Sequence, residues 1–83
     1  MESNVGLNLV SPGEKATVIC LLSTGSIRRR LLDIGLISGT CVECLGRSPQ
    51  GDPTAFLIRG AVIALRCEDC KNILVCRKPA GKE

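Results

Sequence analysis

Histidine, tryptophan and tyrosine are missing from this chain, and Phe56 is its one aromatic residue. Without histidine, neither a Ser–His nor a Cys–His nucleophilic pair can be built, and a mixed Cys/His metal site is excluded. The dearth of aromatics removes the stacking platforms on which single-stranded nucleic acids lie. It also removes the ring-lined grooves in which SH3 signalling modules hold proline-rich peptides. No Walker-type glycine-rich phosphate loop is present, and no CxxC falls on a βαβ unit, so the chain reads as non-enzymatic. Wholly apolar runs are only a few residues long, which predicts no membrane insertion. The opening MESNVGLNLV lacks the basic region and long apolar stretch of a secretory signal. These absences predict a cytoplasmic protein whose six cysteines are reduced thiols.

What remains bounds the molecule. Eighty-three residues make one small domain. A chain of this size buries roughly 60–65% of its unfolded surface, so its stability is modest unless something staples it. Apolar residues make up 45% of the chain, enough for a core, and the net charge of +3 is mild. Such a charge suits an acidic partner without pointing to nucleic acid.

The stretch from Thr24 to Thr40, TGSIRRRLLDIGLISGT, organises the rest. Thr24 to Ser26 are capping types, and Ile27, Leu31 and Ile34 recur at helical spacing with Leu32 widening the face. Gly35 is placed for the left-handed residue that ends a helix. Arg28, Arg29 and Arg30 fall in the expected first turn, where the helix dipole is already positive. An unmixed basic cluster at that end breaks a local rule, and such breaks gather at functional sites. Arginine also binds carboxylates in a bidentate manner. The plainer reading is a solvated helix face.

Short strands surround this helix. Leu7 and Leu9 alternate with polar residues before Ser11-Pro12-Gly13 breaks the chain. Lys15–Leu22 is a strand with two apolar faces. Thr40–Leu45 is another, in which Glu43 marks the wet face, so Val42 and Cys44 point inward and Cys41 outward. The 46–53 segment, GRSPQGDP, is a loop in which Asp52 reads as a turn residue. Phe56–Arg59 and Val62–Arg66 flank a turn or bulge at Gly60. Cys67–Asn72 reads as a polar turn, Ile73–Arg77 as the last strand, and residues 78–83 as a flexible tail. Short strands at close spacing with one short helix imply a mainly β fold, a small β-barrel.

Four motifs in this order are similar to those of the FeoA family. They are L-x-L with P-G-E-x-A-x-V, from Leu7 to Val18; R-R-R-L-L-D-I-G-L-I-x-G-T-x-V-E, from Arg28 to Glu43; S-P-x-G-D-P, from Ser48 to Pro53; and I-R-G-x-x-I-A-L-R-x-x-D, from Ile58 to Asp69. The resemblance runs from Leu7 to Val75. It implies an SH3-like barrel domain over residues 7–77 and an accessory role in bacterial ferrous iron transport. It further implies contact with the cytosolic domain of the membrane transporter FeoB and favours Arg28, Arg29 and Arg30 as a partner-binding surface. The chain departs from the family pattern at Ser38, where proline is common, and at Cys70, where alanine is usual.

The cysteines carry the competing reading, a small transition-metal-binding regulatory domain with Cys-ligated zinc or iron. Cys41-x-x-Cys44 and Cys67-x-x-Cys70 form two CxxC pairs, and paired CxxC is a zinc signature. Cys41 and Cys44, three apart in a strand, point to opposite faces. Cys67 and Cys70 lie in a polar turn that can bring them together, which leaves them as the candidate metal ligands. The simpler expectation is no cofactor, with Cys20 and Cys44 as small core residues and the rest incidental.

Overall fold

Six antiparallel strands form one sheet in the order β1-β6-β2-β3-β4-β5. The computed structural model describes residues 3–78. Along the chain these are β1 (Ser3–Gly6), a 3-10 turn (Leu7–Leu9), β2 (Lys15–Leu21), α1 (Gly25–Ile34) and β3 (Cys41–Arg47). There follow β4 (Thr54–Ile58), β5 (Ala61–Leu65), α2 (Cys67–Cys70) and β6 (Ile73–Lys78). The fold is mainly β and SH3-like, as expected. The sheet is open, however, with β1 and β5 as its two edges.

Alternation dictates the core. On β3, Val42 and Cys44 are buried while Cys41 stays exposed, as the wet-face reading of Glu43 requires. On β4, Thr54, Phe56 and Ile58 point inward. Phe56 is 1% exposed, so its ring belongs to the core and not to a peptide groove. Val18, Leu31, Leu36, Ile73 and Val75 complete the centre. Apolar burial of this kind stabilises at about 25 cal/mol per Å².

The irregularities lie where period-two reasoning fails. The β2–β6 register shifts between Val18 and Cys20. This bulge turns both Ile19 and Cys20 outward and returns Leu21 to the core. Cys20 is therefore exposed, contrary to the expectation of a core residue. Leu7–Leu9 is not a strand but a 3-10 turn, with Leu7 buried and Leu9 outside. The strand in this region is β1, which precedes it and pairs with β6. The β4–β5 connection is two residues long, Arg59 and Gly60, with φ of 51° and 84°. Two positive φ values define the type I′ hairpin, whose twist matches that of the flanking strands. Lys78 is the last residue of β6; the rest of the expected tail lies outside the described residues.

Candidate functional site

Helix α1 starts after Thr24, whose backbone is extended (φ −130°, ψ 171°) but whose side chain makes no capping bond. Its end is better built. Gly35 has φ 115°; its N–H donates to the Leu32 carbonyl at 3.0 Å, and the Leu36 N–H donates to the Leu31 carbonyl at 3.1 Å. This pair of bonds is the Schellman arrangement, with Leu31 and Leu36 both fully buried beneath it. The Thr40 hydroxyl donates to the Gly35 carbonyl at 2.9 Å. The Arg59 side chain, from the hairpin turn, lies where a Cβ on Gly35 would project. A cation there complements the negative end of the helix dipole.

The three arginines are exposed. They sit slightly later than expected, because the helix begins at Gly25: Arg28 is its fourth residue, and Arg29 and Arg30 open the second turn. Arg28 Nη1 donates to the Leu21 carbonyl at 3.2 Å, tying the helix to the end of β2. Arg30 Nη2 stands 4.0 Å from Asp69 Oδ2, with the arginine side chain 68% exposed. An ion pair so open contributes at most about 1 kcal/mol. The Arg29 side chain has no hydrogen bond or ion pair among the described residues.

The apolar face of α1 is narrower than its spacing implies. Leu31 is buried and Ile34 partly so, but Ile27 is 46% and Leu32 37% exposed. Leu22, just before the helix, and Ile37, just after it, are exposed as well. The helix thus adds two uncovered aliphatic side chains to its arginines. Such a surface suits a partner that brings both carboxylates and apolar groups.

The structure does not present Cys67 and Cys70 as an outward pair. The expected polar turn is a single helical turn, α2. Cys67 is exposed, whereas Cys70 is 1% exposed in the core. Burial first, and then the neighbouring Cys67, Asp69 and Asp52, push the Cys70 thiol up to about 12. A ligating thiolate at Cys70 would have to form against that environment. The Cys44 thiol is raised too, chiefly by burial. Among the described residues no three His, Cys, Asp or Glu side chains gather as a metal site.

One structural role escaped the sequence reading. Asp52 Oδ1 accepts the Cys67 backbone N–H at 2.9 Å. The residue capping α2 therefore comes from a loop fifteen positions earlier. The GDP tripeptide signalled a turn, but nothing in it signalled what the carboxylate would hold.

Several known proteins resemble this chain. A FeoA-like protein from Clostridium acetobutylicum, solved by NMR, superposes with a TM-score of 0.83 at 35% identity, covering 100% of this chain and 93% of that one. FeoA from Stenotrophomonas maltophilia, a prokaryotic SH3 domain protein solved in complex with zinc, superposes with a TM-score of 0.76 over 84% of this chain and 87% of that one. Its identity of 24% speaks to the fold alone. A fusion of Fe(2+) transport protein A with the Fe(2+) transporter FeoB, from Porphyromonas gingivalis, is 28% identical over 69 residues. That match takes in 83% of this chain but only 8% of the much longer fusion protein. The FeoA domain family matches residues 5–77, from within β1 to the penultimate residue of β6, and on that span the chain belongs to the FeoA family.

Proposed function

We propose that this protein is a cytoplasmic accessory protein of bacterial ferrous iron transport that works by contact with the cytosolic domain of FeoB. Its action on this reading is binding, not catalysis. The supporting observation is the fusion of the two proteins in a relative, since a covalent link holds its two parts at high effective concentration and favours functions that need their contact. Among the described residues no helix is long and apolar enough to cross a membrane, in keeping with a partner that approaches the transporter from outside the bilayer.

The contact surface on this reading is the outer side of α1, with Arg28, Arg29 and Arg30 beside Ile27 and Leu32. Arg29→Glu is the cleanest probe, because that side chain supports nothing else in the fold. The variant is expected to melt with the wild type and to bind the FeoB cytosolic domain more weakly. Loss of a desolvated charge contact costs about 2–5 kcal/mol of binding, whereas a rim charge changes mainly the on-rate and its salt dependence. Undiminished affinity and rates in an Arg28→Glu/Arg29→Glu double variant would show these arginines to be a solvated face only.

A further inference from the structure

We propose that Cys67 and Cys70 form a reversible dithiol switch, closed to an intramolecular disulfide by a low-molecular-weight disulfide such as glutathione disulfide. The two cysteines begin and end the single turn of α2. Its backbone is regular: the Cys70 N–H donates to the Arg66 carbonyl at 3.0 Å, and the Lys71 N–H to the Cys67 carbonyl at 3.1 Å. The rise and radius of a helix set Cα atoms three residues apart at about 5 Å. A disulfide needs about 4.4–6.8 Å, so the backbone already has the span that the bond requires. The Asp52 carboxylate holds the start of the turn by accepting the Cys67 N–H at 2.9 Å.

Within the sheet the thiols are not so placed. Cys41 and Cys44 lie on opposite faces of β3, and three residues of strand span about 10 Å. Cys41 and Cys76 both pair with Thr17, from its two sides, so two strand spacings, about 10 Å, separate them. Cys20 stands opposite Leu74, diagonal to Cys76, and such neighbours are about 7–8 Å apart. Cys44 and Cys70 are both buried, and neither offers an outside reagent a first point of attack.

The α2 pair does offer one, because Cys67 is exposed while Cys70 lies beneath it in the core. This fixes the order of events. The Cys67 sulfur attacks one sulfur of glutathione disulfide; a mixed disulfide forms on Cys67, and the departing glutathione thiolate takes the Cys67 proton. The Cys70 sulfur then attacks the Cys67 sulfur, and the second glutathione leaves with the Cys70 proton. Two electrons and two protons pass from the cysteines to the oxidant, which departs as two glutathiones. Reduced glutathione reverses both steps. The link encloses Asp69, whose carboxylate stands 4.0 Å from Arg30 Nη2, so the switch sits beside the basic face of α1.

The test incubates the native protein in glutathione buffers of fixed oxidised-to-reduced ratio and falling total concentration, with acid quenching and peptide mapping by mass spectrometry. Closing the intramolecular link releases two glutathiones per oxidant, whereas a mixed disulfide releases one. Each tenfold dilution is therefore expected to raise the ratio of closed to open Cys67–Cys70 by about tenfold and to leave mixed disulfides at Cys20 and Cys41 unchanged. Cys67→Ser, at an exposed position, is expected to abolish the link, and Cys70→Ala to halt at the glutathione adduct of Cys67. Circular dichroism confirms that the variants and the oxidised wild type are folded. A wild type in which Cys67 stays free, or carries glutathione without closing onto Cys70, would overturn the proposal. So would a link from Cys70 to Cys44, or a Cys67–Cys70 link that forms only in denaturant.

Discussion

Cys70 cannot easily ionise where it sits, and this has a consequence at high pH. Its thiol is raised from the ordinary 9.0 to about 12 by burial and the nearby negative charges. Between those values the unfolded chain has released the proton that the folded chain still holds. Stability from this group is therefore complete below about pH 9 and falls as pH rises through 12. Denaturant unfolding at increasing alkaline pH is expected to show that decline, and Cys70→Ala to flatten it; equal slopes would contradict the assignment. Alkylation followed by mass spectrometry offers a second check. Cys20, Cys41 and Cys67 are exposed and are expected to react in the folded protein, whereas Cys44 and Cys70 wait for unfolding. At this scale the sequence was informative only where a charged neighbour fixed the face. Glu43 oriented Cys44 correctly. The bulge that exposes Cys20 leaves no local trace, and one turn of helix is too short to show the period that buries Cys70.

Among the elements, α1 was the most legible, because glycine placement and helical spacing both report on local backbone physics. Its C-terminal stop is testable. Gly35→Ala places a Cβ at φ 115° and against the Arg59 side chain. The left-handed backbone alone costs about 1–2 kcal/mol, so the melting temperature is expected to fall, and a neutral variant would contradict the stop as described. What the spacing overstates is the buried face: Ile27 and Leu32 fit the pattern but remain 46% and 37% exposed. The strand β1 is not legible in the sequence because SNVG has neither apolar alternation nor β-branched enrichment. Its place is set by β6, seventy residues away in sequence. The cap on α2 is equally non-local. Asp52→Ala is expected to cost about 1 kcal/mol, the usual value of a lost helix cap. Asp52→Asn, which keeps an acceptor, should recover most of it. Equal stability of all three in chemical denaturation would show that the Asp52–Cys67 bond contributes nothing.

At the scale of the whole molecule, the mainly β, SH3-like architecture followed from short strands around one helix, while the open sheet did not. Whether the first and last strands in the order meet depends on twist and register across all six, which no local segment encodes. The open sheet leaves two surfaces of different character: a basic and aliphatic helix face at α1 and an uncharged strand edge at β5. The central claim concerns the first of them and the transporter. Isothermal titration of this protein into the cytosolic domain of the same organism's FeoB, with and without guanine nucleotide, tests it most directly. The account predicts saturable one-to-one binding per protomer, in at least one nucleotide state, that Arg29→Glu weakens. No heat of binding in any nucleotide state, confirmed by an absence of co-sedimentation, would contradict it.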